Sequence, residues 1–406
     1  MDTIIIGCGA SGIVTSIFSK NKNNRVIILE KNKTPLKKLL ITGNGRCNYL
    51  NEKYSINNYY SKNLDIVDKI ITDKNINEVK GFFDSIGIIP KIKNGYYYPV
   101  TNQATTIKSA LIKEAELKGV EIIYEVEVLD IEKDDSKFII STNNGDYTCD
   151  NLVISTGGVA YPKTGSDGFG FSILKKLGHS IIKPTPALVG LSANEKYFKD
   201  LDGVRTDVYL ELFEDGKFLK KEEGEIQFTK YGLSGICIFN LTNYISRGLE
   251  EGKEEIVKIN LVPFIDTLIT PWMDKYAKKN ENKNLSELLE GFLNYKLVNV
   301  ILKESNLDKD KYYLDLSNEE KLNLCKRLRC FKVKIDSTKG FDHAQISNGG
   351  IPLDEIDYMS MESKKIKNLY ITGEVLDING DCGGYNLTNA WITGMIAGKS
   401  IGEKDD

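Results

Sequence analysis

The sequence predicts an α/β fold assembled from both ends of the chain, with a β-rich segment inserted between them. Three observations predict it. The chain opens on an apolar run, Thr3-Ile4-Ile5-Ile6, that leads directly into Gly7-Cys8-Gly9-Ala10-Ser11-Gly12. It closes on a second apolar run, Leu369-Tyr370-Ile371, followed by Thr372-Gly373-Glu374 and the paired glycines Gly383-Gly384. Between the two, from Leu188 onward, the pattern turns to alternating strands and then to helices, as an inserted domain would.

The opening stretch carries the most chemistry. A strand, G-x-G-x-x-G, a helix over Ile13–Ser19, a second strand Val26-Ile27-Ile28-Leu29 and then Glu30 form one βαβ pattern. Gly7 permits the tight turn, Gly9 lets a pyrophosphate approach the backbone, and Gly12 allows the helix to pack on the strand. The helix N-terminus offers free N–H groups and a positive dipole end to phosphate. Glu30 lies twenty-three positions after Gly7, where an acid accepts both ribose hydroxyls and repels a 2′-phosphate. The implied ligand is a dinucleotide.

Composition narrows the class. The chain has 406 residues, enough for two or three domains, and a net charge of −3, so no global basic field advertises nucleic acid or an anionic membrane. Its seven cysteines form no C-x-x-C pair, and its two histidines, His179 and His343, are far apart. Reduced cytosolic thiols are expected, with neither a disulfide framework nor a metal site. No charged and apolar leader is apparent, and no segment approaches the ~20 apolar residues of a membrane helix. A cytoplasmic, soluble protein is expected.

Along the chain, Lys31–Lys38 is a polar loop set by Pro35, and Thr42-Gly43-Asn44-Gly45-Arg46-Cys47-Asn48 is a loop whose backbone can come close to a ligand. Helices are expected near 64–72, 75–86 and 104–117. Tyr96-Tyr97-Tyr98 lines a pocket or packs on a sheet. Strands follow at 120–124 and 125–128, and Asn144-Gly145 turns a hairpin between Phe138-Ile139-Ile140 and Tyr147-Thr148-Cys149. Leu152-Val153-Ile154-Ser155-Thr156-Gly157-Gly158 is a second strand ending in glycines, as a second close approach to a nucleotide requires. The helix Phe169–Leu177 ends at Gly178, and His179 just beyond it reads as structural.

In the insert, Val208–Phe213 and Glu225–Phe228 alternate as strands around the turn Asp215-Gly216, and Ile256–Pro263 offers another. Residues 284–330 read as helices, the last with Ser317 and Glu320 as a capping box. The final helix, Leu387–Ile401, starts behind Gly383-Gly384. Two glycine-preceded helix N-termini at opposite ends of the chain suit an extended FAD.

These motifs stand in the order of a known group. Gly7–Gly12 with Glu30, the T-G-N-G-R-C-N string 42–48, Thr156-Gly157-Gly158 with Tyr161-Pro162 and Gly165-Ser166, Phe228-Thr229 with Gly232-Leu233-Ser234-Gly235, and Gly373-Glu374 with Asp377 and Gly383–Asn386 carry the resemblance. The chain resembles, end to end, the flavoprotein family of aminoacetone oxidases, bile-acid Δ4,6-reductases and ribosomal-RNA dihydrouridine synthases, also labelled "NAD(FAD)-utilizing dehydrogenase". That resemblance implies a two-dinucleotide-binding-like FAD domain (Rossmann-type, a ββα sandwich) over 1–188 and 338–406. It also implies a β-barrel-like insert, 189–270 with 331–337, carrying a helical subdomain, 271–330.

Carried over residue by residue, the resemblance places Gly7, Gly9, Ala10, Ser11, Gly12, Glu30 and Lys31 on the ADP half. Val128 meets adenine, and Thr156, Gly157 and Gly158 close over that half. Lys38, Gly43, Asn44, Gly45, Arg46 and Cys47 run beside the pyrophosphate and flavin, and Gly373, Glu374 and Asp377 meet the ribityl-pyrophosphate region. Gly384, Tyr385, Asn386 and Leu387 lie at the pyrimidine edge of the flavin, where a helix N-terminus stabilises charge on the reduced ring. One departure stands out. The family's F-T-H-x-G-L-S-G-P reads here Phe228-Thr229-Lys230-Tyr231-Gly232-Leu233-Ser234-Gly235-Ile236, so Lys230 replaces the usual histidine.

The chemistry expected is a reductase: FAD takes a hydride from transiently bound NAD(P)H and passes it to an electron-poor C=C bond while a protein acid protonates the neighbouring carbon. Candidate acids are Cys47, Tyr161, Lys230, Tyr231 and, on the substrate side, His343. The substrate is a small molecule or a uridine in ribosomal RNA. The lysines Lys217, Lys220, Lys221 and Lys230 of the insert are an RNA face or, more blandly, a solvated one. Membrane and stable protein partners are not implied. An oxidase of a small amine or amino-ketone and a non-catalytic flavin- or RNA-binding protein are the competing classes.

Overall fold

The computed structural model describes residues 1–135 and 137–404. In chain order its principal elements are β1 (Asp2–Ile6), α1 (Ala10–Ser19), β2 (Arg25–Glu30), β3 (Tyr96–Pro99), β4 (Glu121–Tyr124), β5 (Asn151–Ile154), β6 (Arg205–Glu214), β7 (Lys217–Thr229), α2 (Ile236–Glu250), β8 (Glu255–Asn260), β9 (Phe331–Ile335), β10 (Leu369–Ile371) and α3 (Tyr385–Lys404). They fall into two compact units, Met1–Thr185 with Ala344–Asp406, and Pro186–His343.

In the first unit, β1 and β5 are near-continuous apolar runs, as strands covered on both faces must be. The parallel order is β10, β5, β1, β2, β4, with Ile4 opposite both Leu152 and Ile27. β10 therefore stands beside β5, with Leu152 opposite Leu369, and the two chain ends complete one Rossmann-type sheet. On one face α3 crosses α1 at close range. Cβ atoms built on Gly394 and Gly398 would lie 2.6 Å from the Ser11 carbonyl oxygen and 2.7 Å from that of Thr15. With Gly402 they recur every fourth residue, so all lie on one helix face.

Most local expectations for this unit hold: helices run Leu64–Ile70, Asp73–Ser85 and Ala104–Lys118, and the hairpin turns at 143–145. The strand expected over 125–128 does not form. Glu125 takes a left-handed φ of 59°, the Val126 N–H donates to the Glu30 carbonyl oxygen, and the next strand begins only at Val128.

The second unit is built on an antiparallel sheet in the order β9, β8, β6, β7, then Gly232–Ser234, Leu191–Ser192 and Ser337–Thr338. Its two end strands, β9 and Ser337–Thr338, are joined through Asp336 alone, so the sheet curls round towards itself in a barrel-like way. Asp215 (φ 47°) and Gly216 (φ 78°) make the two-residue turn between β6 and β7. The helix α2 was not expected from the sequence. Its Asn, Thr, Tyr and Ser are weak helix formers, and it is held instead by burying Ile238, Leu241 and Ile245. The helices over 269–329 do not form a body of their own: Leu288, Ile301 and Leu324 share one core with Leu210, Val257 and Val333 of the sheet.

Candidate functional site

The opening turn is built so that no side chain intrudes. Gly7 has φ 99°, and a Cβ on Gly12 would sit 2.0 Å from the Gly7 carbonyl oxygen. A Cβ on Gly9 would meet only the Ser155 oxygen, at 3.9 Å, so space lies open in front of it. The first turn of α1 has neither a side-chain cap nor an acid, which leaves its N–H groups to a ligand. Buried Glu30 ends β2. Its Oε2 accepts from the Cys8 N–H at 2.8 Å and its Oε1 from the Asn32 N–H at 2.8 Å, which fixes the carboxylate beside the turn. Val128 is brought to the same region by the Val126-to-Glu30 bond.

Thr156, Gly157 and Gly158 follow β5. Gly158 lies against Ser347 and Glu374: its missing Cβ would be 1.8 Å from Ser347 Oγ and 2.9 Å from Glu374 Oε1. Glu374 Oε1 accepts from the Ser347 N–H and Oγ, both at 2.9 Å, while Lys38 Nζ lies 2.9 Å from Glu374 Oε2. Thus Lys38, Gly157 and Gly158 meet at the Glu374 carboxylate, and Ser347, which sequence reasoning missed, holds that carboxylate in place. Gly373 completes the convergence, since a Cβ there would sit 2.4 Å from Ser11 Oγ.

The loop after β2 is tied to the turn by the Leu36 N–H, which donates to the Cys8 carbonyl oxygen at 2.9 Å. Gly43, Asn44, Gly45 and Cys47 all take left-handed φ values, strain that Asn44 and Cys47 carry without being glycine. Arg46 is exposed. Cys47 has no exposed surface, and burial pushes its thiol up to about 12. It keeps its proton through the neutral range and has no open path to a substrate, which is packing rather than acid chemistry.

At the closing turn, a Cβ on Gly384 would lie 2.9 Å from Asn48 Oδ1. The side chains predicted here are engaged within the protein. Asn386 makes a reciprocal pair with the Gly380 backbone at 2.8 Å each way, and the Tyr385 hydroxyl donates to the Lys53 carbonyl oxygen at 3.1 Å. What the start of α3 presents is its backbone, next to half-buried Leu387. Asp377 is likewise committed, accepting from the Lys62 N–H at 2.8 Å and from Ser61 Oγ at 3.2 Å.

Tyr161 opens a short turn, Pro162–Thr164, that rests on the loop after Glu30: Lys37 Nζ lies 3.3 Å from the Lys163 carbonyl oxygen, and Lys31 pairs with Asp167. Tyr161 and Lys31 therefore belong with the Glu30 end of the cradle. His179 is buried, with Nδ1 2.7 Å from Glu355 Oε2 and Nε2 2.8 Å from Ser363 Oγ. Burial pulls its pKa down against the Glu355 carboxylate, and its place is structural. Lys230, Tyr231 and His343 belong to the second unit. Lys230 and His343 are exposed; Tyr231 is half-buried with Lys339 Nζ 4.3 Å from its ring centroid. His343, expected in the segment 338–406 of the FAD domain, is the last residue of the second unit.

The family model described as the HI0933-like protein Rossmann domain matches residues 1–400. The chain belongs to the HI0933-like Rossmann family. This family member is 33% identical over 403 residues to a 3-dehydro-bile acid Δ(4,6)-reductase of Clostridium scindens, and 28% identical over 403 residues to a ribosomal RNA dihydrouridine synthase of Escherichia coli; each match covers 98% of both chains. Its fold is similar to that of a 3-ketosteroid-Δ4-(5α)-dehydrogenase from Rhodococcus jostii, with a TM-score of 0.51 and 13% identity over 99% of this chain and 96% of the other. Its class is that of FAD-dependent oxidoreductases. The cradle fits such a group: open space before Gly9, an uncapped α1, a buried Glu30 and glycine-only approaches at Gly158 and Gly373 are what an extended dinucleotide needs. Among the described residues no helix is long and apolar enough to cross a membrane, and no cluster suits a metal ion.

Proposed function

We propose that the protein is an NAD(P)H-driven reductase of the cytoplasm that saturates a C=C bond conjugated to a carbonyl, in ribosomal-RNA uridine or in an enone such as a bile acid. The observation that carries this reading is that two relatives, matched over nearly their whole length, are named for different substrates but one kind of reaction. A 3-dehydro-bile acid and a uracil ring each present an unsaturated bond activated by a neighbouring carbonyl.

FAD supplies hydride transfer between the nicotinamide and the substrate. The chain's own residues hold and orient it. The N–H groups behind Gly9, Ala10, Ser11 and Gly12 would take the pyrophosphate, Glu30 the adenosine ribose, and Val128 with Thr156 and Gly157 the adenine side. Lys38, Gly373 and Glu374 would serve the ribityl-pyrophosphate part, and the loop 43–47 and the backbone before Asn386 and Leu387 would hold the flavin. Cys47 is buried and Tyr161 sits with the Glu30 end; Lys230, Tyr231 and His343 are to be substituted in turn to test each as the proton donor.

Anaerobic stopped-flow mixing with NADH and NADPH tests the reading. Bleaching of the flavin by one of them, then reoxidation by a steroid enone or by unmodified ribosomal RNA, is expected. Failure of both nucleotides to bleach it, or peroxide formed stoichiometrically with a small amine, overturns the proposal. Ribosomal RNA from a strain lacking the protein, assayed for dihydrouridine, separates the two substrates.

A further inference from the structure

Tyr96, Tyr97 and Tyr98 alternate along β3, as strand geometry requires. Tyr97 turns inward: its ring meets Tyr49 at 6.1 Å between centroids, and its hydroxyl donates to Glu52 Oε2 at 2.7 Å. Tyr96 and Tyr98 face the other way, half-buried, toward the glycine turns of the cradle. A Cβ on Gly383 would be 2.5 Å from Tyr96 Cε1, and one on Gly43 would be 3.7 Å from Tyr98 Cε1. Only the missing side chain at Gly383 lets the Tyr96 ring lie where it does.

Unlike Tyr97, neither hydroxyl has a hydrogen-bond partner among the described residues, and Arg46 has no ion pair among them. Burial pushes the Tyr98 phenol up, the Tyr96 hydroxyl pushes it further, and the Arg46 charge opposes both. Tyr98 thus lies near both Tyr96 and Arg46, while the Tyr96 phenol is pushed up by burial and by Cys382 and Asp381. Hydroxyls in a part-buried site are ordinarily paired, and those of Tyr96 and Tyr98 are donors lacking an acceptor among the described residues, with the exposed Arg46 guanidinium beside Tyr98.

We propose that Tyr96 and Tyr98, with Arg46 beside Tyr98, form an oxyanion site that receives the carbonyl oxygen of the substrate. The inference rests on the reductase reading and adds the group that polarises the bond. Bound FAD would supply the hydride; as the β-carbon gains it, the C=C π electrons move toward the carbonyl and its oxygen takes the enolate charge. The two phenolic O–H groups and the guanidinium hold that charge. As the C=O re-forms, the α-carbon takes a proton from an acid of the protein. Phenols, ionising near 10 in water, remain donors throughout the neutral range.

The test uses the FAD-loaded protein and 4-nitrophenol, whose phenolate mimics the enolate oxygen and is read by its visible band. The wild type binds the phenolate in preference to the phenol, lowering the pKa of the bound probe. Tyr96→Phe and Tyr98→Phe each weaken phenolate binding about tenfold, the worth of one hydrogen bond to a charged group. Tyr97→Phe, whose hydroxyl points away, leaves it unchanged. Flavin content and bleaching by NAD(P)H are followed separately, so failure of the reductase reading shows as an unreactive flavin with phenolate binding intact. No preference for phenolate in the wild type overturns the site. So does phenolate binding unaltered in the double Phe variant, including the case where that variant changes only flavin affinity.

Discussion

At the scale of single residues, Gly12 is the position with least freedom. A methyl group there would lie 2.0 Å from the Gly7 carbonyl oxygen, inside any real contact, so α1 must move off β1 if it is present. Gly12→Ala is expected to purify with little bound FAD and to lose about 1–3 kcal/mol of stability, the usual scale of overpacking, measured by flavin absorbance and urea unfolding. Glu255 poses a different problem. It is wholly buried at the start of β8, neither carboxyl oxygen has a hydrogen-bond partner among the described residues, and burial, with Glu214 adding to it, pushes its pKa from 4.5 to about 8. The folded state therefore holds the proton more tightly than the unfolded one. Its contribution to stability is complete below about pH 4.5 and is lost as the pH climbs through about 8. The wild type should lose on the order of a few kcal/mol between those values, while Glu255→Gln should flatten that limb of the curve. Equal urea midpoints for the wild type at about pH 5 and about pH 9 would contradict this.

At the scale of elements, the crossing of α1 and α3 holds the opening and closing turns together. A Cβ on Gly398 would already lie 2.7 Å from both Phe18 Cβ and the Thr15 oxygen. Gly398→Val should therefore force the helices apart, lowering the melting temperature and the affinity for FAD together, at a cost of roughly 1–3 kcal/mol. An exposed control such as Gly81→Val, where a Cβ meets nothing within 4 Å, should lose no stability and gain a few tenths of a kcal/mol, because Val is a better helix former than Gly within its helix, Asp73–Ser85. The four-residue spacing of Gly394, Gly398 and Gly402 was visible in the sequence, but which helix they approach is tertiary information. The βαβ turn, the hairpin at 144–145 and the Ser317 capping box were legible because each is a local pattern with a local cause. Helix α2 was not, since burial rather than propensity makes it, and the strand over 125–128 failed because Glu125 adopts a left-handed turn. In the site, the glycines were readable from spacing. Ser347 and the unsatisfied face of Tyr96 and Tyr98 were not, because their meaning depends on partners far along the chain.

At the scale of the whole molecule, the two units differ in how their chain is supplied. The second, Pro186–His343, is one continuous stretch with its own core. Expressed alone it should unfold in a single cooperative transition, followed by circular dichroism in urea. Residues 1–185 alone should not, because β5 would lack β10 and α1 would lack α3; adding 344–406 through a linker should restore both cooperative unfolding and flavin binding. Cooperative melting of 1–185 by itself would refute this. The pairing of Leu152 with Leu369 also sets a timetable for biosynthesis. At roughly 5–20 residues per second, a ribosome needs about 10–40 s after making β5 before β10 emerges. For that interval an apolar strand edge waits uncovered, an opening for chaperones and a hazard when the nascent chain is crowded.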